Sequence, residues 1–376
     1  MRIGMIGLKG VPFPAGIENF TEQVGWRLAA RGHEVTVYVR PYVKVGAVHR
    51  GMRIRRLPSI NTKHLDAVTH TSIATIDTLF AGLDVVHYHA LGPSVFSLVP
   101  RLRGLRTVAH VHGLDWQRAK WSAFASGCLR AAEYAAMYFP HRTIAISRGL
   151  QRYLEAKYQR RVDYVPTGVE AYEYRPPFEI RKWGLDRETY ILFLSRLVPE
   201  KGCHHLITAY ERLGTDMPLV IAGGSTHTDS YVASLKAAAG RNVIFTGEVT
   251  GRTLEELFSN AYVYVLPSDV EGLPHSLLQA LSYGRLVVAS DIDANVEAMG
   301  GCGITFERGN ADDLARVLGQ VLANPELVRD CAPRASAHVR RHYSWDGVVD
   351  SLERIYGGRP TEAPAPRPAL HGPRRT

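Results

Sequence analysis

A chain of 376 residues with a hydrophobic share of 45% has material for two packed cores, and so is neither disordered nor fibrous. Its formal net charge of +9 asks for an anionic partner, but no helix-turn-helix, zinc finger or RNP-like run is present, which points away from nucleic acid and toward phosphorylated small molecules or an anionic membrane surface. Cys128, Cys203, Cys302 and Cys331 are far apart and form no CxxC pair, as expected of free thiols in a reducing, cytoplasmic compartment.

The N-terminal MRIGMIGL reads as a buried strand, not a signal peptide, because it lacks a long apolar core. No apolar run approaches the roughly 20 residues that span a bilayer. Apolar strands at 3–6, 35–39, 85–88, 107–111 and 143–146 alternate with helical stretches, the first at 18–30 and closed by Gly32. Val165-Pro166-Thr167-Gly168-Val169 and Arg175-Pro176-Pro177 interrupt the alternation and mark a linker. A second series follows, with strands at 191–194, 219–222, 243–246, 263–266, 287–290 and 304–306. The pattern predicts an α/β protein of two doubly wound, Rossmann-like domains, 1–170 and 171–340, facing a central cleft. The apolar stripe of Trp345, Val348, Val349, Leu352 and Ile355 is expected to pack 341–358 back on the first domain. The Pro- and Arg-rich 359–376 is expected to be a disordered tail.

Candidate sites follow the strand ends. Gly7-Leu8-Lys9-Gly10 and Pro14-Ala15-Gly16 lie between the first strand and the first helix, but the glycines do not have dinucleotide spacing. Arg40 stands where a ribose-binding acid would be and leaves open a 2′-phosphate. His87-Tyr88-His89 and His110-Val111-His112 put histidines two apart, on one side of neighbouring strands. Zinc is one reading, without a supporting acid or cysteine; core packing or hydrogen bonding is the other. His112 is set apart by Gly113, which places it at a strand end facing the cleft. Residues 115–139 mix aromatic and basic side chains, suiting either an interfacial membrane contact or an ordinary surface helix. Arg196 and Lys201 flank a proline turn where open sheets bind ligands, and both can reach one diphosphate. Gly223-Gly224 and the stretch after Thr246, ending in Val249, offer close backbone approach. Glu271-Gly272-Leu273-Pro274 turns into a helix whose Leu277, Leu278 and Leu281 share a face. Pro274 suits its first position, and Gly284 ends it. Free amides of that first turn suit a phosphate or sugar hydroxyl, with Glu271 beside them.

The runs GLKGVPFPAGIENF, HVHGLDWQRAKW, AISRGLQRYL, VPTGV, LFLSRLVPEKG, IAGGSTHTDSYV, FTGEV and LPSDVEGLPHSLLQALSYGRLVVASDI, in this order over most of 1–295, resemble the family 4 retaining glycosyltransferases of the GT-B fold. The bacterial polysaccharide-building branch, with its rhamnosyltransferase-like members, is the most similar. The resemblance implies that Arg196 and Lys201 hold the diphosphate of a nucleotide-sugar, and that backbone near Val249 and Gly224 lies at its base. It implies that Glu271, Gly272, Leu273, Pro274, His275 and Ser276 hold the donor sugar, that His112 faces the anomeric centre or a sugar hydroxyl, and that the Gly16 loop closes over it. It implies no cofactor and no metal, and a lipid-linked or small-molecule sugar acceptor at the cytoplasmic membrane face. Two departures stand out. Gln279 replaces a second glutamate that binds ribose hydroxyls, and a Gly-Gly loop is reduced to Gly16-Ile17. A sugar-nucleotide epimerase, a phosphorylase, an NADP-linked oxidoreductase using Arg40, and a non-catalytic nucleotide-sugar sensor are the rival classes.

Overall fold

The computed structural model describes residues 1–359 other than 14, 63–64, 115, 117–122 and 225–227. Residues 360–376 of the expected tail, and the cations Arg118 and Lys120 of the basic-aromatic stretch, lie outside the described residues.

Two sheets form, as the alternation predicts. The first holds β1 (Arg2–Ile6), β2 (Glu34–Val39), β3 (Val48–His49), β4 (Met52–Arg56), β5 (Val85–His89), β6 (Arg106–Val111), β7 (Arg142–Ala145) and β8 (Asp163–Tyr164). Their order is β3-β4-β2-β1-β5-β6-β7-β8, parallel except where β3 meets β4. The second holds β9 (Ile191–Leu194), β10 (Leu219–Ala222), β11 (Val243–Gly247), β12 (Val263–Leu266), β13 (Leu286–Ser290) and β14 (Ile304–Phe306). Its order is β11-β10-β9-β12-β13-β14, parallel throughout. The central strands are continuous apolar runs because helices cover both sheet faces. The edge strands β3 and β8, and β4 next to the edge, escape the sequence reading: β4 is MRIRR, with only Met52 buried, and β8 is two residues long.

The C-terminal helix Trp345–Tyr356 lies on the Gly16–Ala30 helix of the first half. Trp345, Val348, Val349, Leu352, Ile355 and Tyr356 join one buried cluster with Ile3, Met5, Val24 and Val37. Each such aliphatic side chain contributes roughly 1.5–3 kcal/mol when fully buried. Arg31 adds ion pairs to Asp350 and Glu353 at 2.5 and 2.9 Å, but partly exposed pairs of this kind are worth little beside the apolar stripe. A second cluster runs without interruption from Val111, Ala145 and Ile146 of the first sheet to Leu266 and Leu277 of the second half. The two sheets therefore meet across packed apolar surface. Among the described residues no helix is long and apolar enough to cross a membrane.

Candidate functional site

The second sheet reverses its strand order at β9, with β10 on one side and β12 on the other. A crevice opens at such a switch point beyond the strands' C-terminal ends. The loops leaving β9 and β12 are pressed together there. Asp269 donates its amide to the Glu200 carbonyl at 2.9 Å. Gly202 has φ +68°, and a Cβ on it would lie 1.9 Å from the Pro267 carbonyl oxygen, so only glycine fits. This approach brings Lys201 Nζ to 2.5 Å from Glu271 Oε1, which also accepts from Ser268 Oγ at 2.8 Å. Arg196 stands exposed at the mouth and makes no ion pair among the described residues. The helix His275–Ser282 starts behind this turn. Pro274 is its N-cap, one position earlier than expected, and no side chain caps it, so the first-turn amides remain available to a ligand.

The first half supplies the opposite wall. A Cβ on Gly272 would sit 2.1 Å from the His112 carbonyl oxygen, so the end of β6 rests directly on the Glu271–Pro274 turn. Ser147 caps the helix Arg148–Tyr158 by accepting from Leu150 N. The amides of Arg148 and Gly149 donate to the Glu297 carboxylate at 2.7–3.2 Å, across to the second half. Burial pushes the Glu297 carboxyl above the usual range, against the pull of those amides. Between the walls lies a cavity of ≈ 640 Å³. Leu114, Ser147 and Tyr153 line it on one side, and Arg196, Lys201 and Glu271 on the other.

Arg196, Lys201, Glu271 and Gly272 thus meet in one cavity. The lining is not cationic overall, however. Glu200, Asp269, Glu271 and Asp293 share it with the two cations, which corrects the simpler picture of a basic pocket. Leu273 and Pro274 are buried beneath the turn. The Ser276 hydroxyl accepts from Tyr264 Oη at 2.8 Å. Burial lowers His275 to about 4, leaving a neutral imidazole. Gln279 donates to the Tyr172 hydroxyl at 3.0 Å, tying the helix to the linker. Gly16, Gly224 and Val249 do not line the cavity: Gly16 is exposed at a helix start, Gly224 abuts Glu248, and Val249 packs on the core. Arg40 is nine-tenths buried and pairs with Asp66 at 2.5 Å, which removes it as a 2′-phosphate ligand. Ser147, Tyr153, Asp269 and Asp293 were not singled out from the sequence. For the first two, the run AISRGLQRYL was the signal.

The three histidines of β5 and β6, His87, His89 and His110, gather behind His112. His112 Nε2 lies 3.1 Å from His89 Nδ1, and His87 Nδ1 lies 2.7 Å from the Tyr356 hydroxyl. Phe20 sets its ring edge-on to His110 at 4.9 Å. Burial lowers His87 and His112 to about 3, and His89 and His110 fall well below the usual range. All four are neutral near pH 7. Ring nitrogens of His87, His89 and His110 come within 4.8 Å of one another, the spacing of a metal-binding group. Among the described residues no carboxylate bonds these rings, so the acid that commonly orients a metal-bound histidine is missing here. The rings are neutral and packed in a core with these two hydrogen bonds, whereas His87 Nε2, His89 Nε2 and both ring nitrogens of His110 are buried without a partner among the described residues. His112 presents its carbonyl to Gly272 and its ring to His89.

In the basic-aromatic stretch, Trp116 Nε1 donates to Glu133 at 2.6 Å and Arg130 lies over the indole at 4.9 Å. The indole is therefore packed inward.

Two family models divide the chain. One described as Glycosyl transferases group 1 matches residues 177–338, and one described as Glycosyltransferase Family 4 matches residues 14–172. The phosphatidyl-myo-inositol mannosyltransferase of Mycolicibacterium smegmatis is 28% identical over 370 residues, covering 95% of this chain and 93% of its own. An uncharacterized glycosyltransferase of Methanocaldococcus jannaschii is 28% identical over 252 residues; that match takes in 61% of this chain and just under two thirds, 63%, of the relative. The Anabaena protein HepE, solved with UDP-glucose, superposes with a TM-score of 0.80 at 17% identity over 95% of this chain and all of its own.

Proposed function

Because the chain belongs to the family 4 glycosyltransferases of the GT-B fold, we propose that it moves a sugar from a nucleoside-diphosphate sugar to an acceptor hydroxyl, with retention at the anomeric carbon, in cell-surface polysaccharide or glycolipid assembly. The observation that carries this reading is the convergence of Arg196, Lys201 and Glu271 on one cavity opposite the end of β6.

Sugar transfer develops positive charge on the anomeric carbon and negative charge on the departing diphosphate. Fixed cations and dipoles aimed at the leaving charge are the main catalytic device. Arg196 is unpaired and takes one phosphate. Lys201 keeps two N–H groups free beyond its bond to Glu271 and takes the other. The uncapped turn at His275 adds its amides. This arrangement offsets the leaving charge without a divalent metal. The carboxylates of the lining accept hydrogen bonds from sugar hydroxyls, with Glu271 the nearest to the phosphate site. Glu271, held by Lys201 and Ser268, orients rather than attacks; departure and attack occur on one face, and a leaving phosphate oxygen takes the acceptor's proton. The acceptor enters along the wall of Leu114, Ser147 and Tyr153. The mannosyltransferase relative's phosphatidyl-myo-inositol supports a lipid-linked acceptor, met by a peripheral protein at the cytoplasmic face of the membrane.

The test is a thermal-shift panel of nucleotide-sugars, followed by transfer assays with the stabilising donor. A donor that raises the melting point and is then transferred with an unchanged anomeric configuration, in the presence of a chelator, supports the reading. Tight binding without transfer to any acceptor class, or inversion in the product, contradicts it.

A further inference from the structure

The Leu65–Thr78 helix of the first half is inside out. It buries Asp66, His70, Thr71, Thr75 and Thr78, with Ala74 the one apolar residue among them. Leu65, Val68, Ile73 and Ile76 face solvent instead, and Phe80 just beyond the helix is 80% exposed. Most of the inward polar groups find partners: Asp66 receives Arg40, Tyr42 and Ser59, Thr75 bonds the Tyr88 hydroxyl, and Thr71 and Thr78 donate to carbonyls, while His70 Nε2 is buried without one. The inversion is therefore built in. The outward face carries one charged side chain, Asp77, which Arg55 neutralises, whereas a solvated helix face is polar.

The segment 95–102 packs beside this helix. It adds Val95 and Val99, and Leu102 at 79% exposure. A continuous apolar face of this extent marks an interaction surface. Its charge identifies the partner. The acids of the region are each neutralised, Asp66 by Arg40, Asp77 by Arg55 and Asp84 by Arg2. Arg103 makes no ion pair among the described residues, and Arg101 bonds main-chain carbonyls of residues 138–140 rather than a carboxylate. The rim is left positive. A second copy seated face to face would set these arginines against each other. An anionic lipid surface suits both features, with acyl chains for the apolar side chains and phosphates for the arginines.

We propose that the outward face of Leu65–Thr78, with Phe80 and the segment 95–102, seats the protein on an anionic bilayer. This deepens the reading of a lipid-linked acceptor and rests on it only for what the bilayer supplies. It places the contact apart from the indole of Trp116.

The experiment is co-sedimentation of the full chain with phosphatidylglycerol-containing and with pure phosphatidylcholine vesicles. The wild type should partition at least about tenfold better onto the anionic vesicles. The Phe80→Asp, Leu102→Asp double variant should lose that binding about tenfold or more while keeping the wild-type melting point, since both side chains are exposed. Arg103→Glu should lower binding to anionic vesicles and leave the weak binding to neutral ones unchanged. A double variant that sediments as the wild type does, or a wild-type dimer that Phe80→Asp splits, overturns the proposal. Vesicle binding is read without turnover. Transfer to a water-soluble acceptor analogue should survive in the double variant, so failure of docking and failure of the glycosyltransferase reading are separable.

Discussion

Lys201 and Glu271 form an ion pair at 2.5 Å, with side-chain exposures of 15% and 8%. Seventy residues apart in sequence, they tie the loop after β9 to the loop after β12. Lys201→Ala removes the proposed phosphate ligand and leaves a nearly buried carboxylate without its cation. Transfer should fall by about 10²–10³-fold, and stability by roughly 3 kcal/mol. Glu271→Gln should keep the bond from Ser268 and most of the stability while losing transfer. Steady-state kinetics and denaturant melts on the two variants separate these effects.

The contact of Gly272 with the His112 carbonyl predicts a steric result. In Gly272→Ala the new methyl would lie 2.1 Å from that oxygen. Neither partner is a flexible side chain, so the two halves must part slightly. The variant should bind nucleoside diphosphate with nearly wild-type affinity, because Arg196 and Lys201 are untouched, yet lose most of its turnover. Small-angle scattering should show a larger radius of gyration than the wild type. An unchanged radius with full turnover would show that the close approach is unimportant.

Glu297 predicts an effect on stability. Its carboxylate receives the Arg148 and Gly149 amides across the two halves. Glu297→Ala leaves those donors unpaired at a cost of about 1–3 kcal/mol, and Glu297→Gln should recover part of it. Urea melts give the two differences; equal stabilities for all three proteins would remove the contact as a stabilising link.

The histidine group sets a pH dependence. Folding holds His87 and His112 at about 3, and His89 and His110 well below their usual range, against an unfolded value near 6.5. Lowered folded values mean that the unfolded chain binds more protons below pH 6.5. The contribution is thus fully present above about 6.5 and is lost as pH falls toward 3. Each group removes about 1.4 kcal/mol per pH unit in that window. The slope of unfolding free energy against pH should be flat from this group above pH 7 and steep near pH 5. It should be shallower in His110→Leu. A wild-type slope no steeper at pH 5 than at pH 7.5 would contradict the neutral, buried assignment.

Much of this architecture is legible in the sequence because its strands are apolar runs bounded by glycine and proline, such as 219–222 before Gly223 and 263–266 before Pro267. Arg196, Lys201 and Glu271 could be read from strand-end position and spacing. What could not be read depends on distance across the fold. The Lys201–Glu271 pair needs the β9–β12 adjacency, which sequence order hides. The acids Asp269 and Asp293 look like ordinary turn residues until the loops meet. The Leu65–Thr78 helix has a helical apolar period, and period alone does not say which face is buried; the neighbours of Asp66 and Thr75 decide that.

The account turns on whether Arg196 and Lys201 recognise a diphosphate in a cavity that four carboxylates also line. The most direct measurement is calorimetric titration of a nucleoside diphosphate and its monophosphate into the wild type and Arg196→Ala, using the base that the donor panel selects. The wild type should prefer the diphosphate by about tenfold or more, a difference of roughly 1.4 kcal/mol, and the preference should shrink toward unity in the variant. A preference that survives the loss of the Arg196 guanidinium intact would contradict the central claim.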